Sequence, residues 1–282
     1  MLEINNLTKT IKKKKVLNSI NYSFTPGVYG ILGPNGAGKT TFMRCLTNLY
    51  KYKQGEITYS EKNIIDNKSY IGSLGYLSQK FDLFKELNVR EVMEYFAAIK
   101  NIEKDKRADM IEESVGRVNL SDRINDKVKS LSGGMIRRLG IAQAMLNNPN
   151  VLIFDEPTAG LDPEERMRFK SLITSNSKER VTIISTHIVE DVEAICDKII
   201  IMKEGKIITS GDGNKIRNIA MNKVYEILPE EQSTIQGEYY LEKQIEKENN
   251  QYLRILTEQP QKNRQAVTST IEDGYLWALK WL

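Results

Sequence analysis

The chain has 282 residues, of which 40% are hydrophobic and 28% charged, an ordinary globular composition with room for one large α/β core and smaller appendages. A net charge of +4 is too small for this length to argue for a nucleic-acid partner, and none is expected. In chain order, Leu2 to Leu7 and Val16 to Phe24 alternate apolar and polar residues, which predicts half-buried antiparallel strands joined through Lys12–Lys15. That lysine run reads as a solvated turn rather than a binding patch. Pro26-Gly27 ends the second strand, the apolar run Val28–Leu32 follows, and Thr41 to Leu46 reads as a helix.

Between that strand and helix lies Gly33-Pro34-Asn35-Gly36-Ala37-Gly38-Lys39-Thr40. The spacing G-x-x-x-x-G-K-[ST] is that of a P-loop, whose glycines let successive amides curl around a polyphosphate. The helix behind it points its positive end at the same anion. Asn35, Gly36, Ala37, Gly38, Lys39, Thr40 and Thr41 are therefore the expected nucleotide cradle. Lys39 is expected to reach the β and γ phosphates, and the Thr40 hydroxyl to ligate Mg²⁺. Kinases, GTPases, motors and transporters share this loop, so it leaves the machine open.

Farther along, Gly55–Tyr59 and Ile71–Leu77 are strand candidates, the second ending at Ser78-Gln79. From Lys85 to Asn148 strand formers are few, which predicts a helical subdomain. One helix opens at Asn88 with Glu91 at capping-box spacing and runs through Met93, Tyr95, Phe96 and Ile99; a second covers Arg107 to Val118. Leu131-Ser132-Gly133-Gly134 then starts a third helix, whose Met135, Leu139, Ala142 and Leu146 recur as a buried stripe. Its first turn offers a second anion-ready set of amides at Ser132, Gly133 and Gly134.

Val151–Phe154 is continuously apolar, as suits a parallel strand covered on both faces. It ends in Asp155-Glu156, with Asp155 placed to hold Mg²⁺ through water and Glu156 to act as general base or to position an attacking water. Asp162-Pro163 has the form of a helix N-cap. Another strand, Val181–Ser185, ends at Thr186-His187, which carries the one histidine of the chain. Its position at the ligand-facing end of the sheet predicts phosphate sensing. Ile199–Met202 and Lys206–Ile208 form a hairpin about Glu204-Gly205.

Taken together, the chain resembles the nucleotide-binding subunit of an ATP-binding cassette (ABC) transporter over about its first three quarters. The matching elements stand in that family's order: the P-loop, Gln79 as Q-loop, Leu131-Ser132-Gly133-Gly134 as signature, Asp155-Glu156 as Walker B, Asp162 as D-loop and His187 as switch histidine. The resemblance implies an α/β P-loop NTPase with a RecA-like parallel sheet core, an N-terminal antiparallel β-subdomain, a helical subdomain at about 85–148, and a small C-terminal α+β region. Residues 1–213 would form the ATPase domain and 214–282 the accessory region. It also implies ATP and Mg²⁺, with Thr40, Gln79 and Asp155 on the metal and Glu156, His187 and Gln79 in catalysis. Two copies would close head to tail, each ATP being covered by Ser132, Gly133 and Gly134 of the other copy, with Asp162 also among the nucleotide-binding residues. Two departures stand out. Met135 replaces the signature's usual glutamine, and the aromatic that stacks on adenine aligns with Ile11, beside Val16. Weaker base selection follows, with Tyr22 and Tyr50 as candidate substitutes.

No apolar run approaches the ~18 residues that span a bilayer, and the N-terminus lacks a signal peptide. A separate transmembrane permease is the expected partner, and the cytoplasmic face of the membrane the expected location. Cys45 and Cys196, far apart and without C-x-x-C spacing, fit a reducing compartment. In the tail, Val224–Leu228 reads as a strand, Tyr239–Ile245 and Gln251–Thr257 as a hairpin around Asn249-Asn250, and the last helix as entered at Ser269-Thr270 with Glu272 at capping-box spacing. Trp277 and Trp281 share one face of that helix as a buried or docking edge. The stretch Ile271–Leu276 resembles the tails of bacterial exporters of drugs and antimicrobial peptides, of the ABC-2 type. The alternative is a non-transport ABC ATPase. Translation factors of that kind carry two cassettes, however, and repair proteins carry a long coiled coil between P-loop and signature, where this chain has no sustained heptads.

Overall fold

The computed structural model describes residues 1–65, 67–175, 177–247 and 250–282. Its elements in order are β1 (Leu2–Ile11), β2 (Lys14–Phe24), β3 (Gly27–Leu32), α1 (Lys39–Leu46), β4 (Gln54–Tyr59), β5 (Lys62–Asn63), α2 (Lys68–Gly72), β6 (Leu74–Leu77), α3 (Val89–Ile99), α4 (Lys104–Arg117) and α5 (Gly133–Met145). There follow β7 (Val151–Asp155), α6 (Pro163–Thr174), β8 (Val181–Ser185), α7 (Val189–Ile195), β9 (Lys198–Lys203), β10 (Lys206–Gly211), α8 (Gly213–Ile219), β11 (Val224–Ile227), β12 (Tyr239–Lys247), β13 (Asn250–Thr257) and α9 (Ile271–Trp281).

A six-stranded sheet in the order β10-β9-β3-β8-β7-β6 carries the site, and all its pairings are parallel except that of the hairpin strand β10. Every residue of β3, β7 and β8 is buried, as expected where both faces of a parallel sheet are covered. Alternate side chains enter different cores. Leu152, Phe154 and Ile184 pack with α3, α4 and α5 through Val92, Ile111 and Leu139, whereas Val151, Ile153 and Ile183 pack with Phe42 and the antiparallel strands through Leu2, Ile4 and Phe24. Each such fully buried Phe or Ile contributes about 1.5–3 kcal/mol of transfer free energy. The antiparallel sheet, β2-β1-β4-β5, pairs Ile11 with Lys14 across the lysine turn, as the alternation predicts.

The helical segment is as expected. Asn88 and Glu91 make the reciprocal capping box of α3, and the Ser132 hydroxyl accepts the Met135 amide to cap α5, a bond of about 1 kcal/mol. Leu139, Ala142 and Leu146 are buried, with Met135 half-buried beside them. Two local expectations need correction. Ile71 belongs to α2, because the Asn67 side chain caps the Tyr70 amide and starts a turn of helix there, leaving only Leu74–Leu77 as strand. The box at the last helix is Thr270 with Asp273, one residue beyond Ser269 and Glu272.

In the tail, β11-β13-β12 form a separate antiparallel sheet. The predicted turn at Asn249 lies outside the described residues. The last helix leaves that sheet to pack on the main one: Ile271, Tyr275 and Ala278 of α9 share a cluster with Ile216, Ile199, Ile201 and Leu32. Trp277 is half-buried and donates to the Thr257 carbonyl at 3.0 Å, consistent with a docking edge.

Close approach between α5 and β6 depends on a missing side chain. A Cβ on Gly75 would lie 2.0 Å from the Ala144 carbonyl oxygen and 2.7 Å from Leu152 Cδ2, whereas one on Gly72 would meet nothing within 4 Å. Gly75→Ala is expected to destabilise the chain by about 3 kcal/mol through overpacking, and Gly72→Ala to stay within about 0.5 kcal/mol of wild type. Urea midpoints measure both; equal midpoints would refute the close packing.

Candidate functional site

Gly33 ends β3, and the chain turns at once, the Ala37 amide donating to the Pro34 carbonyl at 3.1 Å. Gly36 and Gly38 have φ of +83° and +105°, left-handed values that glycine adopts without the Cβ penalty. The Gly38 carbonyl then accepts the Phe42 amide at 2.8 Å and α1 begins. Lys39, only 8% exposed, folds back over its own loop, donating to the carbonyls of Gly33 at 2.6 Å and Pro34 at 3.3 Å. Burial pushes its pKa below the ordinary lysine value, opposed by the charges of Glu156 and Asp155. A cleft of about 230 Å³ is lined by Asn35 to Thr41 together with Val16, Gln79 and Glu156.

The acids come from the end of β7. Asp155 is 1% exposed. One of its carboxylate oxygens accepts the Ser185 hydroxyl at 2.5 Å, and the other, Oδ2, is buried without a partner. Glu156 has φ +53°; its amide donates to both the carbonyl and the hydroxyl of Ser185 at 3.1 Å. Its side chain, 9% exposed, meets His187 Nδ1 at 3.0 Å through Oε2, while the histidine ring is 62% exposed. Thr158, two residues beyond Glu156, donates to buried Asp191 of α7 at 2.7 Å. The turn after the acids and the helix after the histidine are thereby fastened together.

Nine residues expected to act on the nucleotide or in catalysis thus line one cleft: Asn35 to Thr41, Gln79 and Glu156. Asp155 and His187 stand directly behind or against Glu156. Val16 also lines the cleft, but Ile11, Tyr22 and Tyr50 do not. Tyr22 instead packs its ring on Phe24, at 4.7 Å, and on Tyr29, at 6.1 Å; Tyr50 is held by the Arg44 guanidinium, which donates to its hydroxyl at 2.7 Å. Neither substitutes for a stacking aromatic in this cleft. Ser132, Gly133, Gly134 and Asp162 also lie outside it. Gly133 faces open space, and Asp162 caps α6 through the Glu165 amide at 2.9 Å.

Ser185 and Arg137 were not singled out from the sequence. A serine that ends an apolar strand and a basic residue in the first turns of a helix are both common, and only the neighbouring strand ends reveal their partners. A divalent cation fits the residues present, because Asp155 Oδ2 is a buried acceptor without a partner and Thr40 and Gln79 bring oxygen-bearing side chains to the cleft lining. Among the described residues no cluster of three or more His, Cys, Asp or Glu could cage a metal.

The sequence profile of the family described as ABC transporter matches residues 17–159. The chain is 35% identical over 269 residues to the uncharacterized ABC transporter ATP-binding protein YhcH of Bacillus subtilis, covering 92% of this chain and 85% of that one. It is 34% identical over 217 residues to the linearmycin resistance ATP-binding protein LnrL of the same organism, covering 75% and 69%. The dimeric structure of MJ0796, a bacterial ABC transporter cassette, superposes with a TM-score of 0.68 at 25% identity, over 75% of this chain and 98% of that one. With its P-loop cleft, its Asp155-Glu156 strand end and this kinship, the chain belongs to the ABC transporter family as an ATP-binding subunit that hydrolyses ATP.

Proposed function

We propose that this subunit works as a pair of identical copies on a separate transmembrane permease, at the cytoplasmic face of the membrane, and powers export of a drug, an antimicrobial peptide or a similar compound. The observation that carries the hydrolytic half of this reading is the 3.0 Å contact of His187 Nδ1 with Glu156 Oε2 at the rim of the P-loop cleft. Glu156 takes a proton from, or orients, the water that attacks the terminal phosphorus. Lys39 and the amides of Asn35 to Thr41 hold the polyphosphate, and exposed His187 meets its γ-phosphate. Thr40, Gln79 and Asp155 would hold Mg²⁺, which would supply charge neutralisation to the phosphates.

Ser132, Gly133 and Gly134 lie at the start of α5, off the cleft of their own chain, and unhindered Gly133 suits a γ-phosphate brought by a second copy. The dimer of MJ0796 supports the pairing, and the name of LnrL supports an exported antimicrobial compound. Among the described residues no helix is long and apolar enough to cross a membrane, so the membrane path is assigned to the permease. A groove of about 450 Å³ with Phe81, Leu83 and Ile136 in its lining, flanked by exposed Phe84 with its ring 5.3 Å from that of Tyr95, suits an apolar cytoplasmic helix of that permease. A DNA-repair role would need a long coiled coil, and α3 and α4, of 11 and 14 residues, are too short for one.

Glu156→Gln is expected to lower steady-state hydrolysis by about 10²–10³-fold, within the range for a general base, and to trap an ATP-bound dimer visible by size-exclusion chromatography. Unchanged turnover would defeat the assignment. With no aromatic in the cleft lining, GTP and ATP are expected to be hydrolysed at comparable rates; strict preference for ATP in a competition assay would count against base binding without stacking. Phe84→Asp is expected to abolish co-purification with the permease while the isolated subunit keeps its hydrolysis rate within about twofold. Retention of the permease by that variant would remove the aromatic patch from the interface.

A further inference from the structure

We infer that Arg137 is a positioning residue for hydrolysis, one that fixes the backbone turn bearing Glu156 and ties it to the loop bearing Gln79 and to the Ser132 end of α5. This rests on the hydrolytic reading of Glu156 given above. Arg137 lies in α5, 8% exposed. Its guanidinium has five N–H donors in a rigid plane, and each finds a main-chain carbonyl. Nε donates to Pro157 at 3.1 Å, Nη1 to Ser78 at 3.1 Å and Gln79 at 3.2 Å, and Nη2 to Asp155 at 2.8 Å and to Glu156. Among the described residues it makes no carboxylate ion pair. Its neighbour Arg138 turns the other way, to Glu165 and the carbonyls of Val118 and Asn119.

The five acceptors come from the ends of two adjacent parallel strands, β6 and β7, where the sheet ladder stops and carbonyls lose their strand partners. One of them belongs to Glu156, whose left-handed backbone is disfavoured by about 1–2 kcal/mol in a residue with a side chain. Only a five-donor group can bond all five of these carbonyls at once. Glutamine has two donors, and lysine three on a single atom. Because the fork is rigid, a displacement of α5 shifts the carbonyls of Gln79 and Glu156 together. The helix whose start would meet the partner copy's phosphate therefore reports its position to the base through one side chain.

The test uses the full-length chain and its Arg137→Lys and Arg137→Met variants, with turnover, KM for ATP, affinity for a fluorescent mant-ATP probe and melting temperature measured for each. Lysine is expected to lower kcat about tenfold and methionine about a hundredfold, the scale of a misplaced reacting group, with mant-ATP affinity within about threefold. In a Glu156→Gln background, Arg137→Lys is expected to cause no further loss in single-turnover hydrolysis, because positioning acts through the carboxylate already removed. A folded methionine variant within twofold of wild-type kcat would overturn the inference, as would affinity falling in step with kcat, or an equal loss in the Glu156→Gln background. If the methionine variant does not fold, the lysine variant decides by the same criteria. Normal turnover by Glu156→Gln alone would sink the hydrolytic reading and this inference with it; an inactive Glu156→Gln beside an unimpaired Arg137→Lys would sink only the latter.

Discussion

A carboxylate buried at the end of a parallel strand is the constraint on which the site depends. Asp155 is nearly inaccessible and has one oxygen hydrogen-bonded by Ser185 and the other unpartnered. A buried acceptor left without a bond costs about 1–3 kcal/mol, more when charged. Burial pushes the pKa values of Lys39 and Arg137 below their ordinary values, opposed by the nearby charges of Asp155 and Glu156.

Much of this was legible in the sequence, because the physics there is local. Glycine spacing, a lysine and a hydroxyl define the phosphate cradle, and unbroken apolar runs define strands covered on both faces. The residues that escaped depend on tertiary neighbours. Ile71 reads as the start of the strand run to Leu77, yet Asn67 caps a helical turn there. The capping box of the last helix forms at Thr270 and Asp273, and Arg254 bonds the Asp273 carboxylate at 2.6 Å, a partner from another segment. Ile11 lies in the right strand, but the cleft lining includes Val16 and not Ile11. Arg137 carries no signal in one sequence, since its five acceptors are main-chain atoms contributed by other segments.

The tail is fastened to the catalytic body in two steps, by charge and by apolar packing. Arg254 of β13 is ringed by Asp273, Glu226 at 2.9 Å and Glu242 at 3.1 Å, which holds the small sheet to α9. That helix in turn shares an apolar cluster with Ile199 and Ile201 of β9 and with Leu32 of β3. Removing one partner from such a buried ionic cluster is strongly destabilising even where the intact cluster adds little net stability. The last helix is therefore held to the main sheet by apolar contact and to the small sheet by charge.

The left-handed residue at Glu156 explains why two consecutive acids can serve one cleft. In a continuing strand, neighbouring side chains point to opposite faces, and Glu156 would be carried away from Asp155. A residue at φ +53° ends the alternation, so the second carboxylate reaches the cleft lining and His187 while the first stays behind it with Ser185. Glycine would adopt that backbone more easily but would bring no carboxylate. The strain of about 1–3 kcal/mol is offset by the contacts made by the same residue: its amide is shared between two oxygens of Ser185, and its carbonyl is held by Arg137. Such a backbone persists where its surroundings over-determine it, and here four segments do so: the ends of β6, β7 and β8 and the helix α5.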